Sequence, residues 1–131
     1  WDSSRLAMLT AVLEERCGVP LSGRDIFLNV AGGLKISETA ADLAVAAALI
    51  SSVTGRPAPR RTVFFGEVAL SAELRQVAQS DARLKEAAKL GFDNAVMPRP
   101  HKSGVKQDLI KLSQPTTLAG LIDIMGGIDR Q

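Results

Sequence analysis

Residues 31–44 decide how this chain can fold, and they read Ala-Gly-Gly-Leu-Lys-Ile-Ser-Glu-Thr-Ala-Ala-Asp-Leu-Ala. The glycine pair is typical of the end of a strand, and the small residues that follow are typical of the start of a packed helix. Many hydrolases place a nucleophile at such a strand–loop–helix junction. Here Ala40 and Ala41 stand at the helix entrance, and neither side chain has a reactive atom. The stretch therefore predicts the architecture of an active site without its chemistry.

Apolar spacing and capping residues predict a mixed α/β domain around this junction. Helices are predicted from about residue 2 to Cys17, from Ser37 or Thr39 to about Val53, over 80–90, and after Thr116 or Thr117. Strands are predicted over 25–30, 34–36, 62–65 and 94–97, with a hairpin formed by 67–70 and 73–77. The predicted class is α/β, of a two-layer α+β type, in a single domain that spans 1–131.

Composition indicates a globular chain and argues against several kinds of site. No apolar run approaches the ~20 residues that cross a bilayer, so no membrane partner is expected. His101 and Cys17 are the only residues of their types, so we expect no metal site and no internal disulfide. No phosphate-binding loop occurs, so no cofactor is expected in this chain. The net charge of +2 permits nucleic-acid binding without indicating it, and the single cysteine fits the cytoplasm.

Three segments carry a family resemblance. Residues 29–43 (NVAGGLKISETAADL), 65–75 (FGEVALSAELR) and 83–92 (RLKEAAKLGF) resemble, in order and spacing, the C-terminal domain of the RadA family of bacterial DNA repair proteins. That domain is similar to the proteolytic domain of Lon protease, with a ribosomal protein S5 domain 2-like fold. The resemblance covers about residues 2–125. It implies that the chain is a fragment of a longer protein whose zinc finger and RecA-like ATPase domains are absent.

Lon-type peptidases use a Ser–Lys dyad, and the resemblance implies that both members are replaced here. Ala40 occupies the position of the nucleophile, and a gap-free count from the following Gly-Glu pair places the lysine position at Asp81. Such catalysis requires an activated nucleophile beside its base, so this domain is expected not to be an enzyme. Lys85 is expected to face water, and Ser37 is expected to cap a helix.

The resemblance also implies what the scaffold does. RadA proteins resemble ring-shaped, ATP-dependent branch-migration helicases that act in recombination. The full-length protein is thus expected to be a cytoplasmic, DNA-dependent ATPase that uses ATP, Mg and Zn. Its expected partners are the DNA backbone, further copies in a hexameric ring, and RecA. The DNA-contacting positions of the family match Arg5, Lys35 and Arg75. A possible secondary basic patch consists of Arg56, Arg60, Arg61, Arg99 and Lys102. These residues come from two basic clusters in exposed loops, and the second cluster also contains His101 and Lys106.

The chain departs from the family pattern at three places. Thr39, Ala72 and Gln76 stand where RadA proteins generally have proline, glycine and proline, which puts the shape of the hairpin in question but not the fold. Two alternatives stay open at this point. One is a working Ser–Lys peptidase of the Lon type. The other is a purely structural, ring-forming domain that makes no contact with DNA.

Overall fold

Helices account for much of the chain that the structure describes. The computed structural model describes residues 3–19, 39–98 and 110–127. Its helices are α1 Ser3–Cys17, α2 Asp42–Thr54, α3 Ser80–Lys89 and α4 Leu118–Ile124. The sequence predicts all four, with bounds that differ by a few residues. A 3₁₀ turn, Thr39–Ala41, leads directly into α2. The strands predicted over 25–30 and 34–36 and the basic loop 99–106 lie outside the described residues.

The described residues also form two small sheets, one of three strands and one of two. Their strands within the described residues are β1 Thr62–Phe64, β2 Glu67–Val68, β3 Leu74–Arg75, β4 Asn94–Val96 and β5 Lys111–Ser113. Strands β1, β4 and β5 form a parallel sheet with β4 in the centre, whereas β2 and β3 form the predicted antiparallel hairpin. Strand β5 is not predicted from the sequence. The predicted α/β class is confirmed.

The hydrophobic core lies on both faces of β4. Val96 belongs to a cluster built mainly from α1, α2 and α4. Its neighbour Ala95 belongs to a second cluster that includes Leu84 and Ala87 of α3. Because successive side chains of a strand point to opposite faces, this alternation places α3 on the other side of β4 from the three remaining helices.

Helix α2 packs closely because its buried face is made of small side chains. Ala46 and Ala47 are at most 2% exposed, and Ile50 is fully buried. The sequence predicts this close packing from the run of alanines. The helix ends at Gly55, whose backbone has a left-handed φ of 71° and whose N–H donates to the carbonyl of Ser51 at 2.9 Å. Glycine adopts this conformation without steric cost, so the predicted end of the helix is confirmed.

Ala72 adopts a left-handed backbone at the tip of the hairpin, with φ of 72°. Its N–H donates to the carbonyl of Ala69, and its own carbonyl accepts from the N–H of Leu118, both at 2.9 Å. A left-handed alanine costs roughly 1–2 kcal/mol because Cβ approaches the backbone. The resemblance noted from the sequence implies glycine at this position, and glycine would adopt this conformation without that cost.

We predict that Ala72→Gly leaves the free energy of unfolding within about 0.5 kcal/mol of the unchanged protein, because relief of backbone strain offsets the lost methyl group. Ala87→Gly is the matched control, since Ala87 is similarly buried but lies within α3. It should cost about 2 kcal/mol through lost burial and helix propensity. Urea denaturation measures both. Equal losses in the two variants would contradict the strained backbone at Ala72.

Candidate nucleic-acid interface

An open groove of about 490 Å³ lies between α1 and the β2–β3 hairpin. Its lining combines two arginines, one carboxylate and several aliphatic groups, contributed by Arg5, Met8, Glu67, Val68, Ala69, Leu70, Ser71 and Arg75. Arg5 and Arg75 are far apart in the sequence, and the fold brings both to this groove. Of the charged side chains in this lining, two are cationic and one, Glu67, is anionic, and Glu67 lies directly opposite Arg75 in the hairpin register.

A buried carboxylate anchors the first wall of the groove. Nε of Arg5 donates a hydrogen bond of 2.9 Å to Oδ1 of Asp42, and Nη2 of Arg5 donates to Oδ2. The backbone N–H of Val68 donates to the same Oδ2 at 3.0 Å. Asp42 is fully buried, while the Arg5 side chain keeps 26% of its surface exposed. Burial of a carboxylate is costly unless it is paired and hydrogen-bonded, so Asp42 holds α1, α2 and β2 in one arrangement.

Gly66 joins the start of α2 to the hairpin. Its N–H donates to the carbonyl of Ala40 at 2.9 Å, and its carbonyl accepts from the N–H of Leu43 at 3.1 Å. A Cβ at Gly66 would lie 2.7 Å from Cδ of Pro98, which is closer than real side chains approach. The glycine of the Gly-Glu pair is therefore required by a close backbone approach.

The start of α4 fixes the other side of the hairpin. The N–H of Leu74 donates to the carbonyl of Thr116 at 2.9 Å, and Glu73 forms an isolated bridge with Thr117. Oγ1 of Thr117 accepts from the N–H of Gly120 at 3.2 Å, as expected of the predicted N-cap. Held from both sides, the hairpin presents its side chains to the groove at fixed positions.

The three residues predicted to contact DNA have different environments. Arg75 is exposed on β3 and lies directly opposite Glu67 in the hairpin register. Arg5 is half-buried and bound to Asp42. Lys35 lies outside the described residues. Of the three predicted residues, Arg5 and Arg75 thus line the same groove despite their different environments.

The residues of the predicted secondary basic patch that the structure describes do not share one role. Nη2 of Arg56 donates to the carbonyl of Gly127 beyond α4. Arg61 donates to the carbonyl of Gly91 at 2.7 Å and forms an exposed ion pair with Asp93 at 2.9 Å. Arg60 is exposed. The remaining members, Arg99 and Lys102, lie outside the described residues, as do His101 and Lys106.

The structure describes both positions that the resemblance assigns to a peptidase dyad. Ala40 is 5% exposed in the 3₁₀ turn, and its carbonyl is bound by Gly66. Asp81 lies in the first turn of α3 with an exposed side chain, and Lys85 is exposed as predicted. Burial raises the pKa of the Cys17 thiol, which keeps it protonated and a poor nucleophile at neutral pH.

Metal-ligating side chains do not cluster within residues 3–19, 39–98 and 110–127. No group of three or more His, Cys, Asp or Glu residues is placed to hold a metal ion there. In the same residues, no helix has the length and apolar character needed to cross a bilayer.

Asp42 is not among the site residues predicted from the sequence. Asp42 is the only charged residue within 40–50, which is otherwise small or apolar. A lone carboxylate in such a run is a usable signal, because charged residues are almost never fully buried without a partner. The identity of that partner is not encoded locally, since Arg5 lies on another helix.

We predict that Asp42→Asn lowers the free energy of unfolding by about 2–3 kcal/mol, because it removes the charge that compensates Arg5 in a buried pair. Asp93→Asn is the matched control. Its ion pair with Arg61 is more than half exposed on both sides, so it should cost less than about 1 kcal/mol. Urea denaturation compares the two, and an equal cost would contradict the anchoring role of Asp42.

Comparison with curated proteins finds relatives named DNA repair protein RadA. The chain is 54% identical over 96 residues to that of Rickettsia bellii, 49% over 122 residues to that of Brucella abortus, and 53% over 97 residues to that of Pseudomonas aeruginosa. The matches cover 73%, 93% and 74% of this chain but 21%, 26% and 21% of the relatives. The chain thus spans about a quarter of their length. The predicted resemblance to RadA is confirmed, and the likeness to Lon protease stays a prediction.

Comparison with family models gives a second match. Residues 4–101 match the family described as subunit ChlI of Mg-chelatase. This segment includes α1 from its second residue onward, α2, α3 and the strands β1 to β4. Because the match covers about three quarters of its residues, the chain belongs to the family described as subunit ChlI of Mg-chelatase.

Proposed function

We propose that this chain is a non-catalytic domain that contacts DNA during recombinational DNA repair. Relatives that share about half of its residues are named DNA repair protein RadA, which supports the biological setting. The observation that carries the proposal is the presence of Arg5 and Arg75 in one open groove. Long cationic side chains supply the phosphate contacts that dominate sequence-independent DNA binding.

Arg5 and Arg75 have different roles in this proposal. Arg5 is paired with the buried carboxylate of Asp42, so Arg5 mainly shapes the groove and adds a weaker contact. Arg75 is exposed and makes the principal phosphate contact within the groove, and Lys35 contributes a further cation. Arg60, Arg99 and Lys102 form a subsidiary basic path, whereas Arg56 and Arg61 chiefly hold loops together.

The proposal extends to the longer protein. RadA relatives are about three and a half times the length of this chain, which leaves room for an ATPase core that uses ATP and Mg and for a zinc finger. In this division, a cytoplasmic ring of six copies moves DNA with its ATPase domains, and RecA is a further partner. The present domain holds the strand and joins neighbouring copies, and its dyad positions take no part in cleavage.

We predict that Arg75→Ala and Lys35→Ala each weaken binding to an oligonucleotide by roughly three- to tenfold at 0.1 M salt. Each should also reduce the slope of log affinity against log salt by about 0.7–0.9, because one phosphate contact is lost. Fluorescence anisotropy with the protein at its full encoded length measures both quantities. Lys85→Ala is the matched control, since Lys85 is exposed on α3 and does not line the groove.

Two results would contradict the proposal that this groove binds DNA. Affinity and salt slope that stay unchanged in Arg75→Ala would remove the groove from the proposed DNA path. A loss in Lys85→Ala as large as that in Arg75→Ala would show that binding follows total charge and has no defined face.

For ring assembly, we predict that light scattering on the full-length protein gives a mass of several copies at micromolar concentration. Deletion of the segment that corresponds to residues 1–131 should reduce that mass if this domain forms the contacts between copies. A strict monomer at high concentration, or an oligomer that survives the truncation, would contradict the assembly role.

A further inference from the structure

Leu70 is the most exposed large hydrophobic residue within the described part of the chain, with 71% of its surface accessible. Single apolar side chains at the surface are common and by themselves mean little. Leu70 differs from an ordinary case in its position, because it lines the same groove as Arg5 and Arg75. Leu90 is almost equally exposed, at 68%, but does not line the groove.

The backbone holds Leu70 in a tight turn. The N–H of Ala69 donates to the carbonyl of Glu73, and the N–H of Ala72 donates back to the carbonyl of Ala69, both at 2.9 Å. Oγ of Ser71 accepts from the N–H of Glu73 at 3.3 Å. Together with the contact between Ala72 and α4, these bonds present Leu70 beside the groove at low cost in backbone entropy.

The groove places cationic and aliphatic groups side by side. Arg75 supplies positive charge, Leu70 supplies an exposed aliphatic surface, and Met8 adds a thioether from α1. An unpaired nucleotide has the complementary chemistry, since an anionic phosphate is joined to a base with flat apolar faces. The groove is open to solvent, so a nucleotide could contact these groups along one side.

We propose that Leu70 packs against the base face of an unpaired nucleotide whose phosphate contacts Arg75. The inference rests on the proposed function and adds a base contact to it. Aromatic side chains usually fill this role, but among the described residues none that lines the groove is aromatic. A base face is accessible only when the base is unpaired, because in a duplex both faces are covered by neighbouring bases.

The test compares Leu70→Ser with Leu90→Ser on two oligonucleotides of equal length, one of thymidines and one of abasic residues. Leu70→Ser should weaken binding to the thymidine strand by roughly three- to tenfold, with an unchanged salt slope, because an apolar contact is lost. It should have no effect on the abasic strand, and Leu90→Ser should have none on either. Both side chains are exposed, so thermal melting of the variants should match that of the unchanged protein.

Three outcomes would overturn the inference. Leu70→Ser could bind the thymidine strand as tightly as Leu90→Ser does, or it could lose equal affinity on the abasic strand. It could also change the mass in light scattering while affinity per copy is unchanged, which would make Leu70 a contact between copies. If Arg75→Ala weakens binding and Leu70→Ser does not, the base contact fails while the proposed function stands. If Arg75→Ala has no effect, the proposed function fails as well.

Discussion

The buried carboxylate of Asp42 is the interaction on which the described fold depends. It lies in the first turn of α2, is followed in the sequence by apolar and alanine residues, and has no exposed surface. A charge in that position must be compensated by partners brought from elsewhere in the chain. Arg5 supplies them from α1 and Val68 from β2, so a single side chain sets the distance between the two walls of the groove.

The start of α2, where the strand–loop–helix junction enters the helix, is held against the hairpin by backbone hydrogen bonds. The carbonyl of Ala40 and the N–H of Leu43 both bind Gly66, which fastens the helix entrance to the hairpin. Ala40, which the resemblance assigns to the position of a nucleophile, thus takes part in the contact between the start of α2 and the hairpin. Our proposal follows the same logic, since a scaffold that positions groups around a groove can serve binding when it has no reactive side chain.

Local signals predicted the elements that depend on local chemistry. The cap at Thr117, the stop at Gly55 and the hairpin around Ala72 each follow from residue types near in sequence. Strand β5 was not predicted, because Lys111–Ser113 has no marked alternation and is defined by its parallel pairing with β4. A parallel partner is chosen by tertiary packing, which short sequence patterns do not record.

The candidate site was predictable only in part for the same reason. The family resemblance pointed to Arg5 and Arg75 one by one, but the groove they share arises from the meeting of α1 with the hairpin. That meeting depends on Asp42, whose partner is 37 positions away. The exposure of Leu70 beside the cations likewise depends on how the hairpin is held by α4, a contact with no local signature.

The central claim is that the face formed by α1 and the hairpin is the one that meets nucleic acid. The most direct measurement is a nuclear magnetic resonance titration of the labelled protein with a short single-stranded oligonucleotide. We expect the largest shifts on the backbone amides of residues 67–75 and on the Nε–H of Arg5, with α3 unchanged. Shifts concentrated on α3 or on residues 56–61, with the hairpin amides unmoved, would contradict it.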